Sequence, residues 1–229
     1  MKTIYSGKTK DVMLLDDGNI LLKFKDTVTG TGNVIDAGSN TVIGEVAGKG
    51  SASFRLTMHF FNLLKKAGME THFIAPGPEP NTMLVKRAHT FGRGLEVVCR
   101  EKAWGSFIRR YGAYIEQGTP LPSLVEFTLK DDAREDPPLT EDTLIALKIA
   151  TADQIRFMKD TAKKATAILK AHLAEKGLEL IDLKYEFGEV DGKTMIIDEV
   201  SGDGMRVVRD GQVLLQKDLA AALLGDATA

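Results

Sequence analysis

Cysteine is almost absent from this 229-residue chain, and the single Cys99 excludes both an internal disulfide framework and a metal site built on clustered thiolates. No apolar run reaches the roughly 18 residues that a membrane-spanning helix needs. The N-terminus, MKTIYSGKTK, lacks the apolar core of a secretory signal, so a cytoplasmic protein with no membrane role is expected. An excess of one charge is also missing. Lys and Arg number 30 and Asp and Glu 32, a net charge of −2, which leaves no broad basic footprint for nucleic acid. The four histidines, His59, His72, His89 and His172, lack metal-ligand spacing and are expected to be structural or exposed. No Ser-His-Asp arrangement, internal repeat or low-complexity tract is legible. What remains is a globular composition, 43% hydrophobic and 27% charged, long enough for one large domain or two modest lobes sharing a cleft.

Alternating apolar residues on either side of Asp17-Gly18-Asn19 predict an N-terminal hairpin. Phe54, Met58, Phe61 and Leu64 make one apolar stripe, which predicts a helix over 53–67 stopped by Gly68. Strands are expected near 71–74, 82–86 and 95–100. The Pro- and Gly-containing stretch 76–80 between them reads as a loop and a hinge, dividing a β-rich segment, 1–80, from an α+β segment, 81–229. A short helix over 103–111, a strand over 124–129 and a long helix over 152–176 follow. Thr151 with Gln154 three residues on is a capping-box pattern, and Gly177 closes that helix. Strands and helices in this mixed order indicate an α+β fold rather than a regular βαβ series.

The densest chemistry lies in LIDLKYEFGEVDGKTMIIDEVSGD, residues 180–203. Read with period two, Ile181, Leu183, Tyr185 and Phe187 share one face while Asp182, Lys184 and Glu186 share the other. Asp198 and Glu199 sit in an apolar Ile-Ile-Asp-Glu-Val run, where a carboxylate is costly unless paired or bound to a cation. Two registers are open at the turn. A two-residue loop, Asp191-Gly192, pairs Glu186 with Ile197; a three-residue loop that adds Lys193 sets Glu186 across from Asp198. The second arrangement would recruit a hard divalent ion.

Three other segments offer chemistry. Ser6-Gly7-Lys8-Thr9-Lys10 is not a phosphate loop, since Lys2 stands where that motif needs a glycine, but its lysines could cover a polyphosphate. The polar stretch 24–33 is a loop of the kind that closes over substrates. Arg100 ends an apolar strand and should be partly buried with an anionic partner, whereas Arg109 and Arg110 should decorate a helix surface. Asp203 and Arg206, with Gly202 and Gly204, would reach the same cleft rim. By composition alone the segment KDDAREDPP is an exposed loop.

Taken in order, YSGKTKDV, FKDTVTGTGN, THF, MLVKRA, LEVVCREKAWGSFIRRYG, VEFTLKDD with DPP, LIDLKYEFG and DEVSGDGMR resemble the SAICAR synthetase family over nearly the whole chain. The resemblance implies a two-lobed fold of antiparallel sheets with helices, related in shape to ATP-grasp enzymes and kinases. It implies an ATP- and Mg²⁺-dependent ligase that phosphorylates carboxyaminoimidazole ribonucleotide (CAIR), lets L-aspartate attack the acyl phosphate, and assembles as a homo-oligomer. A related ligase with another acid or amine, and a small-molecule kinase, are the alternatives.

The family pattern places Lys8 and Lys10 on the nucleotide phosphates and Met83, Val85 and Lys86 beside adenine. Glu186 and Asp198 match the metal-binding carboxylates, so the resemblance implies the three-residue turn that sets one opposite the other. Arg100, Ser106, Asp182 and Arg206 match groups that hold the imidazole nucleotide, Lys184 lies close to the reacting carboxylate, and Asp203 joins Lys184 and Arg206 in the catalytic set. Lys130 and Asp136 match cleft positions, which reverses the bland reading of KDDAREDPP. The chain departs from the family at Gly202 and Val207, where proline and tryptophan are usual, and by lacking asparagines after Lys49-Gly50. Gly202 in place of proline is expected to loosen a substrate-side loop.

Overall fold

The computed structural model describes residues 1–36 and 38–225. Strands β1 (Lys2–Ser6), β2 (Lys10–Leu14) and β3 (Ile20–Phe24) form antiparallel hairpins, the second closed by Asp17-Gly18 as the turn residues require. Next come β4 (Thr27–Thr31), β5 (Val34–Ile35) and β6 (Val42–Glu45), a small sheet of order β5-β4-β6. Helix α1 (Lys49–Lys66) follows, then β7 (Phe73–Pro76) and β8 (Thr82–Val85), which complete a first sheet of order β1-β2-β3-β8-β7. Residues 77–81 are therefore a hairpin connection rather than a hinge, and a boundary at residue 80 would cut this sheet.

Helix α1 begins at Lys49, four residues ahead of the position the apolar stripe predicts. The cause is distant in sequence. The Asp26 carboxylate accepts from the backbone N–H of Gly48 at 3.1 Å and of Gly50 at 2.8 Å, satisfying orphan donors of the first turn. Leu56, Phe60, Phe61 and Leu64 on its inner face pack against Ile20, Leu22 and Phe24 of β3 in the main core.

The remaining elements are β9 (His89–Thr90), β10 (Leu95–Lys102), α2 (Ser106–Tyr111), β11 (Pro120–Leu129), β12 (Pro138–Leu139), α3 (Glu141–Ala146), α4 (Ala152–Ala174), β13 (Glu179–Val190), β14 (Lys193–Ile197), β15 (Met205–Arg209), β16 (Gln212–Val213) and α5 (Gln216–Leu224). Their strands make an eight-stranded sheet of order β12-β11-β10-β13-β15-β16, with β14 and β9 also on β13. The predicted capping box is present: Thr151 accepts from Gln154 N, and the Gln154 side chain accepts from Thr151 N. Ile155, Met158, Ala162, Ala165, Leu169 and Leu173 of α4 are buried in a core continuous with that of the first sheet. Across β13 Leu183, Tyr185 and Phe187 hold the predicted core face, while Ile181, equally buried, falls at a register irregularity and Leu180 takes its place in the core. The architecture is α+β. Among the described residues no helix is long and apolar enough to cross a membrane.

Candidate active site

Sheet register, rather than proximity in sequence, builds the site. On the polar face of β13, Asp182 stands opposite Arg100 of β10 on one side and Arg206 of β15 on the other. One carboxylate thus joins two guanidinium groups: Asp182 Oδ2 accepts from Arg100 Nη1 at 3.1 Å and from Arg206 Nη1 at 2.8 Å. Arg100 is completed by Glu126 at 2.6 Å and by Ser106 Oγ at 2.9 Å, so its predicted burial with an anionic partner is realised twice over. Arg110 does not decorate the surface. It donates to the other oxygen of Glu126 at 2.6 Å and is only partly exposed.

Two and four residues further along β13 lie Lys184 and Glu186. The residue across from Glu186 on β10 is Glu96, which the sequence reading passed over although the alternation in Leu-Glu-Val-Val-Cys-Arg puts it on the face of Arg100. Two carboxylates in register repel unless cations stand between or beside them. Lys184 donates to Glu96 at 2.7 Å and Lys130 to Glu186 at 2.6 Å. Burial lowers the Lys184 pKa, but Glu96, Glu186 and Asp198 outweigh it and hold the ammonium above the ordinary lysine range.

The turn after β13 has two residues. Asp191 and Gly192 both have positive φ, 51° and 74°, and Glu186 pairs with Ile197. The three-residue register that set Glu186 across from Asp198 is thereby corrected. Asp198 still reaches the cluster, by another route. Strand β14 ends at Ile197, and Asp198 takes φ 64°, a left-handed turn that suspends strand alternation. The corner is fixed from behind by buried His72, whose Nε2 lies 3.1 Å from the Asp198 carbonyl oxygen. Lys10 is 3.2 Å from the Asp198 carboxylate and also pairs with Glu199. Burial pushes the Asp198 carboxyl up, but Lys10, Lys130 and Lys184 bring it down to about 2.

The segment 130–138 is docked at the same place. Lys8 donates to Asp132 at 2.8 Å and to Asn40 at 2.9 Å, and Asn40 donates to Asp136 at 2.6 Å. Glu186 and Asp198 thus face common lysines, and their oxygen donors fit a hard divalent ion that shares its shell with phosphates. Among the described residues no group of three or more His, Cys, Asp or Glu could hold a metal unaided.

The remaining expected site residues sit as follows. The Asp203 carboxylate is held by Lys49 at 2.6 Å, Ser53 at 2.9 Å and Gln216 at 3.0 Å, joining α1 to α5, and its charge also acts on Lys10 and Glu199. Met83 and Val85 are 0% and 1% exposed, so the segment could meet a ligand through its backbone, while Lys86 pairs with Asp191 at 3.2 Å, at the end of β14 remote from Asp198. Gly202 does not loosen its loop. It is buried against Gln216, where a β-carbon would approach backbone and side-chain atoms to 3.0 Å, so α5 takes the space a larger residue would need.

Residues 3–221 match the family model described as SAICAR synthetase. The chain belongs to the SAICAR synthetase family. It is 49% identical over 226 residues to a phosphoribosylaminoimidazole-succinocarboxamide synthase of Clostridium tetani, covering 98% of this chain and 100% of that one. Among solved structures, a type-2 SAICAR synthetase in complex with ADP superposes with TM-score 0.86 at 29% identity, over 97% of each chain. A type-1 crystal structure of SAICAR synthetase from Pyrococcus horikoshii OT3 gives TM-score 0.83 at 28% identity, over 95% of this chain and 98% of that one. The family fold is therefore present nearly end to end, and the two arginines and the lysine–carboxylate cluster lie within the matched span.

Proposed function

We propose that the chain is an ATP-dependent ligase of de novo purine biosynthesis, a phosphoribosylaminoimidazole-succinocarboxamide synthase acting in the cytoplasm. It joins L-aspartate to the carboxylate of CAIR and yields SAICAR, ADP and phosphate. The observation that carries this reading is an arginine pair joined by Asp182 on the face of β13 that also carries Lys184 and Glu186, to which Lys130, Asp198 and Lys10 are brought from other elements. An anionic acceptor and a polyphosphate could then meet within a few ångströms.

A carboxylate is a poor electrophile, which is why ATP is required. An oxygen of the CAIR carboxylate attacks the γ-phosphorus and ADP leaves; the aspartate nitrogen then attacks the acyl carbon, phosphate departs, and the nitrogen loses its proton. Arg100, Arg206 and Ser106 would hold the anionic groups of CAIR, and Lys8 and Lys10 the phosphates. Glu186 and Asp198 would hold Mg²⁺, which when bound offsets the charge of the phosphates. Glu96, Glu186 and Asp198 favour the ammonium form of Lys184. Its role is to stabilise negative charge on the reacting carboxylate and transferring phosphoryl group. Lys130 and Asp136 close this side of the cleft. The relative solved with ADP supports nucleotide use.

The test is purified protein with ATP, Mg²⁺ and CAIR, with and without aspartate, followed by ADP release and product mass. Aspartate-dependent formation of the succinocarboxamide is expected. ADP release indifferent to aspartate would sink the proposal.

A further inference from the structure

Arg206 has a second partner that the proposed chemistry does not use. With Nη1 on Asp182, its other edge is taken by Asp36, whose Oδ1 accepts from Nε at 3.2 Å and from Nη2 at 2.9 Å. The contact links the polar segment after β5 to β15, 170 residues away in sequence. It is a fitted contact. Gly38 N–H donates to the same Asp36 oxygen at 3.0 Å, and a β-carbon on Gly38 would lie 2.1 Å from Arg206 Nη2, so any larger residue there would have to shift the guanidinium. The Arg109 charge also acts on Asp36. The carboxylate therefore sits in a field made by two arginines, the setting an incoming anion would seek.

We propose that Asp36 is an internal competitor for Arg206, a residue that sets acceptor affinity by occupying the anion position until the acceptor's own anionic group displaces it. This rests on the assignment of Arg206 to the acceptor under the proposed function. A monoanionic carboxylate yields to a phosphate monoester, which carries close to two negative charges and more acceptor oxygens. The usual expectation for a carboxylate in a binding site is therefore inverted: removing it tightens binding.

Asp36→Asn keeps the oxygen that accepts from Gly38 and deletes the charge. The expected result is a KM for CAIR lowered about two- to fivefold, the factor a partly exposed ion pair carries, with kcat and the KM for ATP unchanged. Sulfate, as an inhibitor competitive with CAIR, should tighten by the same factor because it must displace the same carboxylate. An unchanged or raised KM for CAIR in Asp36→Asn, with the wild type active, overturns the inference and makes Asp36 scaffold or substrate ligand. If the wild type forms no succinocarboxamide, the proposed function falls instead. Sulfate binding by calorimetry then still decides Asp36, since equal affinity in wild type and Asp36→Asn removes the competitor.

Discussion

Replacing Asp182 by asparagine should cost more stability than any other single charge change on this sheet face. The wild-type carboxylate is 4% exposed and lies between guanidinium groups 3% and 10% exposed. Truncating one member of a buried ion pair costs about 3–5 kcal/mol, because the surviving charge is left without compensation in a medium that solvates it poorly. Here the loss is partial: Arg100 keeps Glu126 at 2.6 Å and Arg206 keeps Asp36 at 2.9 Å. The asparagine oxygen can still accept one neutral hydrogen bond, worth roughly half a charge-assisted one. A loss of about 2–3 kcal/mol follows, which for a chain of this size lowers Tm by roughly 4–12 °C. Urea denaturation of both proteins at neutral pH gives the number directly, and the slope should not change because the folded surface does not. The two arginines also lose their common anchor, so the KM for CAIR should rise while the KM for ATP holds. A stability loss below about 1 kcal/mol would refute the reasoning, since it would mean that water reaches the pair.

Asp198 and Asp203, five residues apart, should respond differently to the same change. Asp198→Asn is expected to lower turnover at least about 100-fold, beyond what the loss of its pairing costs in stability, because its charge faces the lysines of the site and asparagine tolerates the left-handed backbone. Asp203→Asn should chiefly reduce stability, since it leaves the Lys49 ammonium, 1% exposed, without its partner; reversed effects in a turnover and denaturation comparison would exchange their roles. Acid should destabilise the fold through His72. Burial outweighs the pull of Asp198 and brings its imidazole to about 4 from 6.5, so the unfolded chain takes up the proton first. Stability is full above pH 6.5 and falls as pH drops toward 4, by about 3 kcal/mol. His72→Asn should flatten that limb in urea midpoints measured across the range, and an equally steep limb would assign the loss to other groups.

How far the site could be read from sequence depended on whether each residue obeyed a local rule. The faces of β13 follow from period two over Asp182 to Glu186, where its pairing with β10 is unbroken, and the long helix declared its start through Thr151 and Gln154. Asp198 failed that reading. Alternation assumes continuous extended backbone, and a single left-handed residue at the end of β14 brings its carboxylate to the lysines that Glu186 also faces, without the register that alternation demanded. Glu96 was legible but unsought, since its significance depends on the pairing of β10 with β13. Lys49 was not legible: a lysine at a helix start reads as surface, and only a carboxylate 154 residues away explains why it is buried. The start of α1 was missed for a similar reason, because Asp26 caps it from outside the helix. Gly202 shows a converse error, in which a local rule about glycine flexibility ignored a helix packed on top of it.

The interleaving of lysines with carboxylates has its own physical logic. Lys10, Lys130 and Lys184 each pair with a carboxylate, and Glu96, Glu186, Asp198 and Glu199 each have a lysine within reach. Lysines alone on this face would repel one another and resist burial, whereas the paired set approaches neutrality and can fold without a ligand. In the proposed reaction an arriving polyphosphate takes the lysines and a divalent cation takes the carboxylates, so neither set of charges is left uncompensated in exchange. Binding then depends on the difference between two sets of ion pairs rather than on the strength of either. Asp36 applies the same principle at Arg206, with one difference that makes it measurable. When displaced it loses its hydrogen-bonded partner and keeps only the field of Arg109, so its cost falls on the acceptor and appears in the KM for CAIR, while the lysine cluster, whose carboxylates are re-used, shows its effect in turnover.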